Sequence, residues 1–278
     1  MALRSRFPLE GLLNLAKLAR STFYYQVNAL QKPDKHGELK TRIQNLYHQH
    51  EGRFGYRRIA LQLQKNELVS EKTVQRIMDK LNLKSLVRPK KYRSYKGQLG
   101  KIAPNLLERN FVAQRPNQKW VTDVTEFKLG SKKLYLSPVM DLYNGEIVAY
   151  QTDTRPCFAL VESMLNNAFE RLQGPVHLVC HSDQGWQYQQ PRYQQALKQR
   201  GIKQSMSRKG NCLDNAAMES FFGTLKSELF YLKRFETMEE LTAALDEYIR
   251  YYNHERIKSK LGGLSPVEFR TQSVGMWQ

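Results

Sequence analysis

Apolar residues at positions 9, 12, 13, 15, 16 and 18 recur with the spacing of one helix face and predict an amphipathic helix over residues 9–18. Ser21 offers an N-cap to a second short helix over residues 22–27. A third helix is expected over residues 38–50, ended by Gly52 and Gly55, and a fourth over residues 57–65, where Ile59, Leu61 and Leu63 stand among basic residues. Ser70 is placed to cap a fifth over residues 71–81. That helix puts Val74, Ile77, Met78 and Leu81 on one face and leaves Lys72, Gln75, Arg76 and Lys80 outward. From Lys119 the period changes to that of strands, at residues 120–127, 133–142 and 146–152, with Asn144-Gly145 as a hairpin dipeptide. Next come a helix over residues 158–173, a short buried strand at 176–181, a helix at 191–200 and a strand at 202–205. A helix carrying Glu219 and an amphipathic helix over residues 238–252 complete the order.

Charge changes this picture. The 278 residues carry 44 Lys and Arg against 26 Asp and Glu, a formal net of +18 that attracts a polyanion. The excess lies at the front: residues 1–110 hold 23 basic and 8 acidic side chains, residues 111–278 hold 21 and 18. The first part is therefore expected to grip DNA, and the nearly neutral second part to fold around chemistry. Two capped helix pairs, at residues 1–32 and 37–84, have the outline of helix-turn-helix units. For the first, a small packing module without DNA contact stays open. In the second, Arg57, Arg58, Lys72, Gln75, Arg76 and Lys80 are candidate DNA contacts, with a merely solvated face as the alternative. Residues 85–112 read as a basic linker able to track a phosphate backbone through Lys90, Lys91 and Arg93, with Tyr92 and Tyr95 between them.

No apolar run approaches the roughly 20 residues of a membrane helix, and the first residues lack the apolar stretch of a signal peptide. A bacterial cytoplasmic, nucleoid-associated protein with no membrane partner is expected. Cys157, Cys180 and Cys212 are odd in number and widely spaced, which fits reduced thiols.

Three acids stand in distinctive settings: Asp123 in Trp-Val-Thr-Asp-Val-Thr, Asp183 in His-Ser-Asp-Gln-Gly, and Glu219 within a helix. Spacing alone is uninformative in a chain with 8 Asp and 18 Glu. Context carries the reading, because acids at strand ends and on one helix face converge, and hard Mg²⁺ takes oxygen ligands. Two such ions clamp the attacking and leaving oxygens of a phosphoryl displacement, so phosphodiester cleavage or transfer is the chemistry on offer. Among rival acids, Asp141, Glu126 and Asp153 read as surface or turn residues. His177 and His181 read as packed or as supports behind Asp183, and Trp186, Tyr188 and Tyr193 as packing rather than base-stacking groups. Arg208, Lys209 and Asn211 lie on a Gly-containing loop that DNA could order, or that is merely flexible. Asp214 is placed to cap the Glu219 helix, and Arg256 begins a basic tail where a further DNA contact is plausible.

These motifs resemble a known family, the DDE transposases with a retroviral-integrase-like core, and within it the second-frame (OrfB) product of the insertion-sequence-three elements. Gly55-Tyr56-Arg57-Arg58-Ile59, residues 120–125, His181 to Gly185, residues 207–216, Glu219 with Lys226 seven residues on, and Tyr252-Asn253-His254-Glu255-Arg256 each look like family motifs. The likeness spans nearly the whole chain. It implies an α/β, ribonuclease-H-like core with a mixed five-stranded sheet over residues 113–278, preceded by an all-α DNA-binding region. In that fold the first and fourth strands lie side by side, so Asp123 and Asp183 meet. It implies Asp123, Asp183 and Glu219 as ligands to two Mg²⁺ ions, with Mn²⁺ as a substitute, and Lys226 as a phosphate-positioning cation. The partners implied are element terminal repeats, target DNA, further copies of the chain on DNA, and an upstream-frame product fused or in trans. The zinc module of retroviral integrases has no counterpart, since no cysteine precedes position 157. A nuclease that cuts without joining, or a DNA-binding regulator of transposition, are the alternatives.

Overall fold

The structure, a computed structural model, describes residues 6–31, 34–87, 102–174, 176–208 and 212–275. Lys90, Lys91, Arg93, Lys209 and Asn211 lie outside the described residues.

Five helices come first: α1 (Leu9–Leu15), α2 (Arg20–Gln31), α3 (Gly37–Gln49), α4 (Tyr56–Leu63) and α5 (Glu71–Lys80). α2 begins at Arg20, so Ser21 sits inside its first turn and is not its N-cap. Ser70 does cap α5, its hydroxyl accepting from Thr73 N at 3.2 Å. Val74, Ile77 and Met78 of α5 are buried while Lys72, Gln75, Arg76 and Lys80 are exposed. Replacing Ser70 with Ala leaves the first-turn donor to water at a cost of about 1 kcal/mol. A fall of about 2–4 °C in thermal midpoint is expected, and an unchanged midpoint in differential scanning calorimetry would refute the cap's contribution.

The second part is a mixed sheet of six strands: β1 (Lys119–Thr122), β2 (Thr125–Leu129), β3 (Lys132–Asp141), β4 (Ile147–Asp153), β5 (Val179–Ser182) and β6 (Lys203–Met206). β1, β2 and β4 each pair antiparallel with β3, whereas β1–β5 and β5–β6 are parallel. The sequence predicts five strands, with one over residues 120–127. That line is divided. Thr122 pairs with Val139 and Thr125 with Leu136, one continuous register, but the ladder stops at Asp123 and Val124. The same register sets Asp123 opposite Pro138, which has no N–H to donate. Pro138's carbonyl is taken by the Thr122 hydroxyl (2.9 Å), and Val124 N donates to Asp123 Oδ1 (2.8 Å) instead of to a neighbouring strand.

Successive strand residues point to opposite faces, and each face buries its own cluster. Trp120, Val139, Val148 and Cys180 meet α6 (Phe158–Glu170) and α7 (Pro191–Gln199) on one side. Val121, Leu134, Leu136 and Met140 face α8 (Ala216–Leu225) and α9 (Met238–His254) on the other, in a cluster that continues without a break into Ile43, Phe54, Ile59, Val74 and Ile77 of the amino-terminal helices. α10 (Pro266–Gly275) closes the chain.

The closing segment is structural. Asn253 accepts from Ile147 N and donates to Ile147 O, both at 2.9 Å, finishing the start of β4 as a strand partner would. Asp141, expected at a surface or turn, is fully buried. It accepts from Arg270 Nη2 (2.8 Å), Asn117 N (2.8 Å) and Tyr143 N (3.0 Å), and the same guanidinium reaches Glu146 at 2.6 Å. Arg256, expected to reach DNA, is buried against Glu228, and Lys258 Nζ donates to Gly145 O and the Tyr252 hydroxyl.

Candidate active site

The strand break places Asp123 where its carboxylate leaves the sheet. β5 runs beside β1 with Val121 level with His181, so Asp123 and Asp183, each two residues beyond that pair, emerge at the same end of adjacent parallel strands. Glu219 is added by α8, which packs on β1. Asn215, just before that helix, donates from Nδ2 to Thr122 O at 3.3 Å and ties the helix start to the residue preceding Asp123. Lys226 follows at the end of α8, where the helix widens into a π-helical turn, Lys226–Phe230. Its ammonium lies 5.3 Å from the Phe127 ring centroid. Asp123 and Asp183 thus leave the sheet side by side at two strand ends, and the helix tied to the first of them carries Glu219 and Lys226.

Their electrostatics are those of a site crowded with negative charge. Burial, then the neighbouring Asp183 carboxylate and the more remote Glu219, push the Asp123 carboxyl well up; Val124 N–H and Lys226 oppose this. Burial also raises Asp183, against the N–H of Gly185, which donates to Asp183 Oδ1 at 2.8 Å. Glu219 is raised by burial. Lys226 is lowered by burial while Glu126 and Asp123 hold its proton on. Among the described residues no three His, Cys, Asp or Glu side chains stand close enough to share one ion. Asp123 is the acid that feels both others. An all-oxygen donor set of half-buried carboxylates suits a hard divalent cation and offers nothing to a soft one.

Behind the acids the supports are buried. His181 Nδ1 and Ser205 Oγ are 2.8 Å apart, and burial lowers that imidazole to about 4, so it is neutral at pH 7. Tyr188 and Tyr193 are packed edge to face in the core, with Trp186 exposed. Asp153 and Glu126 take local partners, Glu126 pairing with Lys133 at 2.9 Å.

Asp214 does not cap α8. Its buried carboxylate accepts from Arg208 N (3.0 Å), Arg208 Nε (2.9 Å), Arg109 Nε (3.0 Å) and Asn105 Nδ2 (3.1 Å), and the Arg208 hydrogen bonds hold it well below the usual carboxylate range. Arg208 is thus anchored beside the site while its side chain remains exposed. Arg109, Asn105 and Asn215 carried no assigned role in the sequence; the clue available was the unbroken Asp214-Asn215-Ala216 motif. Of the other candidate DNA contacts, Arg57 is exposed, its guanidinium 5.3 Å from the Tyr56 ring, whereas Arg58 turns inward to Glu228 at 3.4 Å.

Residues 113–212 and 219–274 match families described as integrase core domain, and residues 35–91 match an HTH-like domain. The putative transposase InsK of insertion sequence element IS150 from Escherichia coli is 55% identical over 98% of this chain and 96% of its own length. An uncharacterized transposase-like protein of Haemophilus influenzae is 57% identical over 74% of this chain and 95% of its own. Transposase InsF of insertion sequence IS3fB, also from E. coli, is 37% identical over 65% of this chain and 63% of its own. Among solved structures, the HTLV-2 integrase catalytic core domain in complex with magnesium aligns with 56% of this chain and 98% of that one at 19% identity and a TM-score of 0.46. With an integrase core, an HTH-like unit and a 55% identical relative along almost its whole length, the chain belongs to the DDE insertion-sequence transposases of the insertion-sequence-three family.

Proposed function

We propose that Asp123, Asp183 and Glu219 carry the DNA cleavage and strand transfer of this transposase, with Lys226 as their phosphate-positioning cation. The observation that carries this reading is that Asp123 and Asp183 each stand two residues beyond the Val121–His181 pair of adjacent parallel strands, with the start of the Glu219 helix tied by Asn215 to the residue before Asp123. Asp123 would serve two Mg²⁺ or Mn²⁺ ions, and Asp183 and Glu219 one each. When bound, such ions neutralise charge on the scissile phosphate and activate the attacking and leaving oxygens. The protein's share is placement. Val124 N–H and Gly185 N–H each hold one carboxylate oxygen, which limits rotation of the two aspartates. Lys226, partly desolvated, attracts a non-bridging phosphate oxygen more strongly than a solvated lysine does. A water or a DNA 3′-hydroxyl loses its proton and forms the new P–O bond as the opposite P–O bond breaks, and the departing oxygen takes up a proton.

Element ends and target DNA are the substrates in this reading. Exposed Lys72, Gln75, Arg76 and Lys80 on α5, Arg57 and the anchored Arg208 are the contacts favoured by position. Pairing two ends calls for more than one copy on DNA, and the upstream-frame product, fused or in trans, would supply further binding. No helix among the described residues is long and apolar enough to cross a membrane, and the bacterial cytoplasm is the compartment in which such DNA lies.

The test is strand transfer with purified protein, Mg²⁺ or Mn²⁺, labelled duplex copying the element ends and supercoiled target. Joined product is expected from the wild type and not from Asp183→Asn or Glu219→Gln, with end binding retained in both. Joining by either variant would sink the assignment, and cutting without joining would favour a nuclease.

A further inference from the structure

Two arginines of the amino-terminal helical unit turn into the catalytic half. Arg53 Nε donates to the Glu228 carbonyl at 3.1 Å, and its guanidinium lies 4.7 Å from the Tyr251 ring centroid and 5.7 Å from that of Tyr248. Arg58 Nη1 stands 3.4 Å from Glu228 Oε1. The same carboxylate, 2% exposed, accepts Arg256 Nη2 at 2.7 Å, Arg256 Nε at 2.8 Å and the Tyr248 hydroxyl at 2.9 Å. His50 stacks on Phe54 with ring centroids 3.8 Å apart, and its Nδ1 is 3.4 Å from the Tyr251 hydroxyl. Helical unit, α9 and closing segment thus converge on one side chain.

That side chain is two residues from Lys226, inside the π-helical turn closed by Tyr231 N donating to Lys226 O at 2.8 Å. A π turn holds an extra residue in a helix, is rare, and is found frequently at functional sites. This one is gripped on its far side by the unit whose α5 presents Lys72, Gln75, Arg76 and Lys80 to solvent. Packed interiors do not deform continuously, so a continuous core from α5 to α8 fixes the distance between those side chains and Lys226.

We infer that Glu228, with Arg53 and Arg58, is a positioning device that pins the DNA-gripping helical unit to the catalytic turn, so that the protein sets how far from the bound sequence the strand is cut. The inference rests on the active-site reading above. Arg58 is the informative residue, because the opposite role, a phosphate contact, makes different predictions.

The experiment uses the full chain with Arg58→Gln, Arg58→Lys and Tyr248→Phe, beside wild type and Asp183→Asn. It measures affinity for labelled end duplex across a salt series, and maps cut and joined 3′ ends to the nucleotide at saturating duplex. For Arg58→Gln we expect affinity within about twofold of wild type and an unchanged salt slope. Cuts are expected to spread from one phosphate to its neighbours, with joining at the wild-type position down about tenfold or more, since small misplacements of reacting groups are costly. Arg58→Lys should recover most of the positional accuracy. Tyr248→Phe, which keeps ring and charge, should show the same spread more weakly and guards against a folding defect at position 58. A salt slope reduced by about one with cut positions unchanged would make Arg58 a phosphate contact and overturn the inference. So would unchanged cut positions in all three variants. Joining by Asp183→Asn would instead count against the active-site reading itself.

Discussion

Asp123→Asn is expected to lose joined product by at least about a thousandfold while melting higher than the wild type in EDTA. The catalytic loss follows from removing the carboxylate that both proposed ions share. Metal stabilisation of transition-state charge is worth several kcal/mol, and ~1.4 kcal/mol is a factor of ten in rate. The gain in stability follows from the metal-free site, where Asp123 is half-buried beside Asp183 and feels Glu219 as well. An amide of the same shape removes one of three like charges and still fills the space. Relief of about 1 kcal/mol would raise the midpoint by about 2–4 °C. Titrating Mg²⁺ or Mn²⁺ should then stabilise the wild type by mass action and the variant much less. Calorimetry in EDTA and in metal, on both proteins, separates the two effects. A variant that melts lower in EDTA, or that gains as much from metal as the wild type, would remove Asp123 from the centre of the site.

Glu228→Gln should produce the largest loss of stability of any single change considered. Taking one partner from a buried, hydrogen-bonded ion pair costs about 3–5 kcal/mol, and here Arg256 would keep its charge in a site where it is 7% exposed. The midpoint should fall by about 10 °C at pH 7. Acidity gives an independent check. Burial works to raise the Glu228 carboxyl, but hydrogen bonds and charge from Arg256, with Arg58 and Tyr248, outweigh it and leave it lowered from its ordinary 4.5. A lowered folded-state value means stability that is present above about pH 4.5 and is lost as the pH falls through the folded-state value. The gap between wild type and Gln variant should therefore be widest near neutrality and close on acidification below about pH 4.5. Thermal midpoints from pH 7 to pH 3 test this, and a gap that widened in acid would contradict the pairing.

The two predictions concern two sites with opposite electrostatic designs, linked by the helix that carries Glu219 and runs on into the π turn of Glu228. At Asp123, Asp183 and Glu219 like charges are held together at a cost to stability, and at Glu228 unlike charges are matched donor for donor. Only the matched set is expected to contribute to folding. The mismatched set keeps its favourable interactions for the metal and phosphate that complete it.

What the sequence determined by itself is what lies within a turn or a strand. The period of α5 and its Ser70 cap, the alternation that sends Trp120 and Val121 to opposite faces, and the Asn144-Gly145 hairpin all follow from backbone geometry acting over a few residues. The three acids were legible for the same reason, since each stands at the end of a strand or on a helix whose pattern reads locally. Partners were not. Arg58 and Glu228 are 170 positions apart, and Asp141 and Arg270 are 129 apart. An arginine on an amphipathic helix reads the same whether it faces a phosphate or a buried carboxylate, so Arg58 and Arg256 were read as DNA contacts. The division of the first strand likewise depended on Pro138, fifteen positions on, coming to lie opposite Asp123 through pairing with β3. Local propensity is set by a residue and its near neighbours, while the partner of a charge, or of an unpaired N–H, is decided by which elements the core brings face to face.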